Sequence, residues 1–85
     1  MLKATIKLNL ISEVLKLAEI AQSTESDVML KHGSYVIDAT SILGIMSLNL
    51  SERVEIQIVE KKPDEALSIL KKIQDEGFDL KITEE

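Results

Sequence analysis

The sequence predicts an α+β fold, a two-layer open-faced sandwich with an antiparallel sheet covered by helices on one face and wet on the other. Two observations carry this. Stretches of period two, each with a polar side, interleave with stretches of helical period. Each helical stretch also carries an apolar stripe that needs a sheet to cover. The element order reads βαββαβα.

The size suits one domain. The chain has 85 residues, 45% apolar and 29% charged, which describes a folded domain rather than a disordered one. Only Tyr35 and Phe78 are aromatic, so the core must be built from Ile, Leu and Val. There is no cysteine, which excludes disulfides, thiol nucleophiles and zinc–thiolate sites.

In the first strand, Leu2, Ala4, Ile6, Leu8 and Leu10 alternate with Lys3, Thr5, Lys7 and Asn9. The period then changes. Ile11, Val14, Leu15, Ala18 and Ala21 recur at three and four, with Asn9 or Ser12 as the expected cap. The polar run 22–26 ends this helix. Val28 and Leu30 mark a second strand, His32-Gly33-Ser34 a tight turn, and Tyr35–Ala39 a third strand, forming a hairpin. Thr40 or Ser41 opens a short apolar helix, with Asn49 the expected left-handed residue closing it. Val54, Ile56 and Ile58 give the fourth strand. In the last helix, Pro63, Asp64 and Glu65 are expected in the first turn, and Gly77 closes it. Ala66, Leu67, Ile69, Leu70 and Ile73 are its expected buried stripe. Phe78, Leu80 and Ile82 also alternate, so 78–85 is either a tail or a short added strand.

The charge is −5, with four basic and five acidic groups in 1–42 and six and ten in 43–85. This balance lacks the basic stripe of a nucleic-acid footprint. No apolar run approaches the roughly 20 residues of a membrane span, and no signal-peptide pattern appears. A soluble cytoplasmic protein is the expectation, with neither nucleic acid nor membrane as partner and with no cofactor.

The stretch Tyr35-Val36-Ile37-Asp38-Ala39-Thr40-Ser41-Ile42-Leu43-Gly44-Ile45-Met46-Ser47-Leu48-Asn49-Leu50 is the most specific part of the chain. It resembles the regulatory-serine segment of HPr, the histidine phosphocarrier of the bacterial sugar phosphotransferase system. Length and element order agree with HPr over residues 1–76. The resemblance implies a four-stranded antiparallel sheet of order 1-4-2-3 with helices on one face. It also implies a domain over 1–77.

The family's phosphoryl chemistry has no counterpart here. HPr carries Gly-Ile/Leu-His-Ala/Thr-Arg-Pro-Ala where strand one meets helix one; this chain has Asn9-Leu10-Ile11-Ser12-Glu13-Val14. No imidazole lies in residues 9–14 to accept a phosphoryl group, and Glu13 would repel one. No catalytic residue is assigned, and phosphohistidine transfer is expected to be absent. His32, the only histidine, falls in the hairpin turn and reads as an ordinary surface residue. One histidine without clustered partners makes no metal site.

The resemblance aligns Ser41 with the serine phosphorylated by HPr kinase/phosphorylase, although Thr40 stands where the family usually has lysine. A phosphate on a helix N-cap meets free N–H groups and the positive end of the dipole; without modification, Ser41 is simply a cap. Ile42, Leu43 and Met46 match the positions with which HPr docks enzyme I and a catabolite-control transcription regulator. The chain is therefore expected to be a non-enzymatic regulatory or adaptor protein with protein partners. A carrier using an unrecognised residue is one alternative. A small-molecule-sensing or assembly module of ferredoxin-like order is the other.

Overall fold

A computed structural model of the chain describes residues 2–84, with the side chains of 3–83. Its elements are β1 (Leu2–Lys7), α1 (Ile11–Gln22), β2 (Asp27–His32), β3 (Tyr35–Asp38), α2 (Ile42–Met46), β4 (Val54–Val59), α3 (Glu65–Asp75) and β5 (Asp79–Glu84). The order is thus βαββαβαβ. The strands form one sheet in the order β3-β2-β4-β1-β5, with every neighbouring pair antiparallel.

The expected four strands keep their order 1-4-2-3, and the expected sheet is corrected by a fifth strand outside β1. Residues 79–84 are not a tail. β5 pairs with β1 in register from Leu2↔Glu84 to Lys7↔Asp79, whereas β4 meets β1 only at Ala4↔Ile56, Thr5↔Glu55 and Ile6↔Val54. β1 therefore has its longer ladder with β5. The alternation of Phe78, Leu80 and Ile82 gives the reason. Phe78 and Leu80 enter the core and Ile82 packs against it, so the strand buries apolar surface as it pairs. Gly77, at φ +96°, allows the sharp exit from α3 that turns the chain onto β1.

Ala4, Ile6, Val28, Leu30, Val54, Ile56 and Leu80 from the strands share one buried cluster with residues of all three helices. Their strand neighbours Lys3, Lys31, Val36 and Lys81 are exposed. One sheet face is thus dry and the other wet, as the alternation requires.

The helix stripes differ in detail from expectation. α1 buries Val14, Leu17, Ala18, Ile20 and Ala21. Ile11 and Leu15 face out instead. Apolar residues occupy more than one side of this helix, and the sheet selects the side centred on Leu17 and Ala18. α3 buries Ile69, Leu70 and Ile73, with Ala66 half-buried and Leu67 exposed. Pro63 and Asp64 precede this helix rather than forming its first turn. Asp64 adopts the left-handed region at φ 61°, and the Glu60 carboxylate accepts the Ala66 N–H at 3.1 Å. Asn49 is not left-handed; α2 ends through Ser47 in right-handed geometry, with its N–H bonded to Leu43 and Gly44 carbonyls.

Thr24 and Glu65 tie the loop after α1 to the start of α3. The Thr24 hydroxyl donates to Glu65 Oε1 at 2.8 Å. That bond, with lesser help from Ser26 and Lys62, holds the Glu65 carboxyl below its ordinary value against the opposing effect of desolvation.

Candidate functional site

Two neighbourhoods hold the residues singled out in the sequence: the start of α1 and the whole of α2. The helices pack against each other, and Gln22 Nε2 at the end of α1 donates to the Thr40 carbonyl just before α2 at 3.2 Å.

At the start of α1 the cap position is Leu10, not Asn9 or Ser12. A leucine offers no acceptor, so the helix recruits one from its own first turn. Glu13 Oε1 accepts the N–H of Asn9 at 2.7 Å and of Leu10 at 3.0 Å, the returning half of a capping box. Lys7 Nζ donates to Asn9 Oδ1 at 3.1 Å and to the Leu50 carbonyl at 2.8 Å. A carboxylate of the chain itself thus occupies the backbone donors ahead of the helix. A phosphate arriving there would meet a fixed negative charge.

Leu10 and Ile11 are each 63% exposed, and Leu15 is also exposed. Ile11 and Leu15 stand one helical turn apart on one face. The sequence reading missed them as surface residues because their spacing also fits a buried stripe.

α2 is positioned by its cap. Asp38 Oδ1 accepts both the Thr40 N–H and the Thr40 hydroxyl, at 2.9 and 2.8 Å, and the Ser41 N–H donates to the Asp38 carbonyl at 3.0 Å. This turn delivers Ser41 in extended geometry as N-cap, where its exposed Oγ accepts the Gly44 N–H at 3.1 Å. A Cβ on Gly44 would lie 3.1 Å from Ser41 Oγ, so glycine is what lets the cap close so tightly. Ile45 and Leu48 root the segment in the core. Leu43 is 83% exposed, and Ile42 and Met46 are exposed at 37% and 46%. A surface hydroxyl at the helix start and an apolar face beside it are the chemistry that α2 presents.

His32 lies elsewhere, at the end of β2, with Nε2 3.2 Å from Glu52 Oε1. Among the described residues no group of three or more His, Cys, Asp or Glu could hold a metal. No helix among them is long and apolar enough to cross a membrane. Two open grooves, of about 330 and 390 Å³, lie away from both neighbourhoods, one between the end of α1 and α3 and the other beside β4 and α3.

An antiparallel sheet backed by three helices, with a serine-capped short helix between β3 and β4, makes this a small open-faced α+β sandwich. The family model for the PTS HPr component phosphorylation site matches residues 14–75, and the chain belongs to that HPr family. The match begins at Val14, the last residue of the stretch 9–14, which contains no histidine. None of the curated proteins matches the chain.

Proposed function

We propose that this protein is an HPr-family regulatory or adaptor protein that does not carry phosphohistidine. The observation that carries the reading is the Glu13 carboxylate seated on the Asn9 and Leu10 N–H groups, in a segment without histidine or arginine. A phosphoryl carrier needs an unprotonated nucleophilic nitrogen beside free donors. Here the nitrogen is missing, and Glu13 sits on two of the backbone donors just ahead of the helix.

Ser41 is the proposed modification site. Its hydroxyl is exposed and stands at the helix start. Phosphorylation would set about two negative charges beside the first-turn N–H groups. The exposed Ile42, Leu43 and Met46 are the proposed docking residues. A charge at the edge of an apolar patch changes which partner surface fits it, so one modification can select between partners. HPr kinase/phosphorylase, an enzyme I-like protein and a transcription regulator are the partner classes that the family suggests, and the cytoplasm is the proposed location.

Two reactions read by intact mass test this. With phosphoenolpyruvate and the enzyme I of the same organism, the expected mass gain is zero. An acid-labile phosphate would overturn the non-carrier reading. With HPr kinase and ATP, the expected result is one acid-stable phosphate on the wild type and none on Ser41→Ala. An unmodified wild type, or equal labelling of both, removes the role of Ser41.

A further inference from the structure

We propose that β3 is a pairing edge at which two copies of this chain join, antiparallel, with Val36 opposite Val36 of the second copy. The sheet has two outer strands, β3 and β5, and they are guarded differently. At β5 the backbone of Leu80 is already engaged. Its N–H donates to the Phe78 carbonyl at 2.9 Å, and its carbonyl accepts Gln74 Nε2 at 3.0 Å. Asp79 and Lys81 add charge along the same strand. Charged side chains and covered backbone groups keep a strand edge from pairing.

β3 has neither guard over its first three residues. Tyr35, Val36 and Ile37 are uncharged, and Tyr35 and Val36 are 70% and 52% exposed. The backbone at Val36 also faces away from the sheet. The Ala39 N–H donates to the Val28 carbonyl at 2.8 Å, and the register continues with Ile37 opposite Leu30 and Tyr35 opposite His32. Hydrogen-bonded and non-bonded pairs alternate along an antiparallel ladder. Ala39, Ile37 and Tyr35 therefore turn their backbone groups to β2, and Val36 between them turns its N–H and C=O outward.

The strand is also its own complement. Antiparallel pairing about Val36 sets Tyr35 opposite Ile37 of the second copy and Asp38 opposite Ser34, so no like charges meet across the edge. Val36 then lies against Val36 on the wet face, and the Tyr35 ring lies across the half-buried Ile37. Aromatic and β-branched cross-strand pairs are the favourable kind. The Asp38 carbonyl is already taken by the Ser41 N–H at 3.0 Å, so the added ladder is short. The dimer is therefore expected to be weak and concentration-dependent.

Sedimentation equilibrium of the full chain between about 10 µM and about 1 mM tests this. The wild type is expected to pass from monomer towards dimer over that range. Val36→Lys and Val36→Glu each set two like charges directly opposite one another, and each is expected to stay monomeric alone. Mixed in equal amounts they are expected to dimerise, because the symmetric register then sets lysine against glutamate. A wild type still monomeric at the highest concentration overturns the proposal. So does dimerisation of either variant alone, or a mixture that stays monomeric. Residue 36 is exposed, and amide spectra matching the wild type at low concentration establish that both variants keep the fold.

Discussion

Arg53, in the loop before β4, holds Asp79, the first residue of β5. Its Nη1 donates to Asp79 Oδ1 at 2.9 Å and its Nη2 to the Asp79 carbonyl at 3.2 Å. The same guanidinium reaches β1, with Nε 3.1 Å from Thr5 Oγ1 and Nη2 3.0 Å from the Thr5 carbonyl. One planar side chain thus bridges β1 and β5 where their ladder begins.

Arg53→Ala is expected to lower stability by about 1–2 kcal/mol, since it removes several charge-assisted bonds whose carboxylate end is partly exposed. Urea denaturation measures the loss. Hydrogen exchange locates it, with the amides of β5 accelerating more than those of β2. Uniform acceleration across the sheet would show that Arg53 does not act locally on β5. High salt should reproduce only part of the effect, because it screens the ion pair more than the bonds to carbonyl oxygens.

Glu13→Ala is expected to cost about 0.5–2 kcal/mol through loss of the bonds to Asn9 and Leu10. Thermal unfolding reads this directly. The variant frees the donors but supplies no nucleophile, so phosphoenolpyruvate and enzyme I should still leave its mass unchanged. A phosphorylated variant would show that Glu13 alone blocks transfer.

Leu43 and Leu30 should separate binding from folding. Leu43→Ser changes a side chain that is 83% exposed, and stability should stay within about 0.5 kcal/mol of the wild type. Leu30→Ala empties a fully buried core position and should cost about 2–5 kcal/mol. Once a partner is in hand, Leu43→Ser should weaken its binding at least tenfold by calorimetry. Wild-type affinity in that variant would remove Leu43 from the docking face.

Glu65 gives a stability term of defined sign. Its folded carboxyl lies below its ordinary value of 4.5, so the folded state favours the charged form. The stabilisation is complete above 4.5 and fades as the pH falls through the lowered folded value. The stability gap between wild type and Glu65→Gln should therefore narrow on going from about pH 6 to about pH 3. Thr24→Val, which removes the principal hydrogen bond, should flatten that dependence. A gap that widens in acid would contradict the assignment.

Much of the local structure was legible because it depends on near neighbours. Alternation in Ala4–Ile6–Leu8 and in Val54–Ile56 marks the strands, and Ser41 announces the start of α2 through its own hydroxyl. That residues 9–14 hold no histidine was plain from residue identity alone. The cap of α1 was not, because Leu10 is no capping residue and Glu13 acts from inside the helix. The exposure of Ile11, Leu15 and Leu67 was equally hidden, since an apolar residue at helical spacing can lie at the edge of a stripe or beyond it.

The sequence by itself determined that this chain makes strands and helices in the HPr order, with a serine-capped helix and with no histidine in residues 9–14. Those features rest on periodicity and side-chain chemistry, which act over a few residues. Only the tertiary structure decided that residues 79–84 form a fifth strand. A short alternating segment becomes a strand when a neighbouring edge accepts its backbone bonds, and that edge is β1, more than 70 residues earlier in the chain. The tertiary structure likewise decided which apolar side chains face out, because burial depends on what packs against each face, which no single helix encodes.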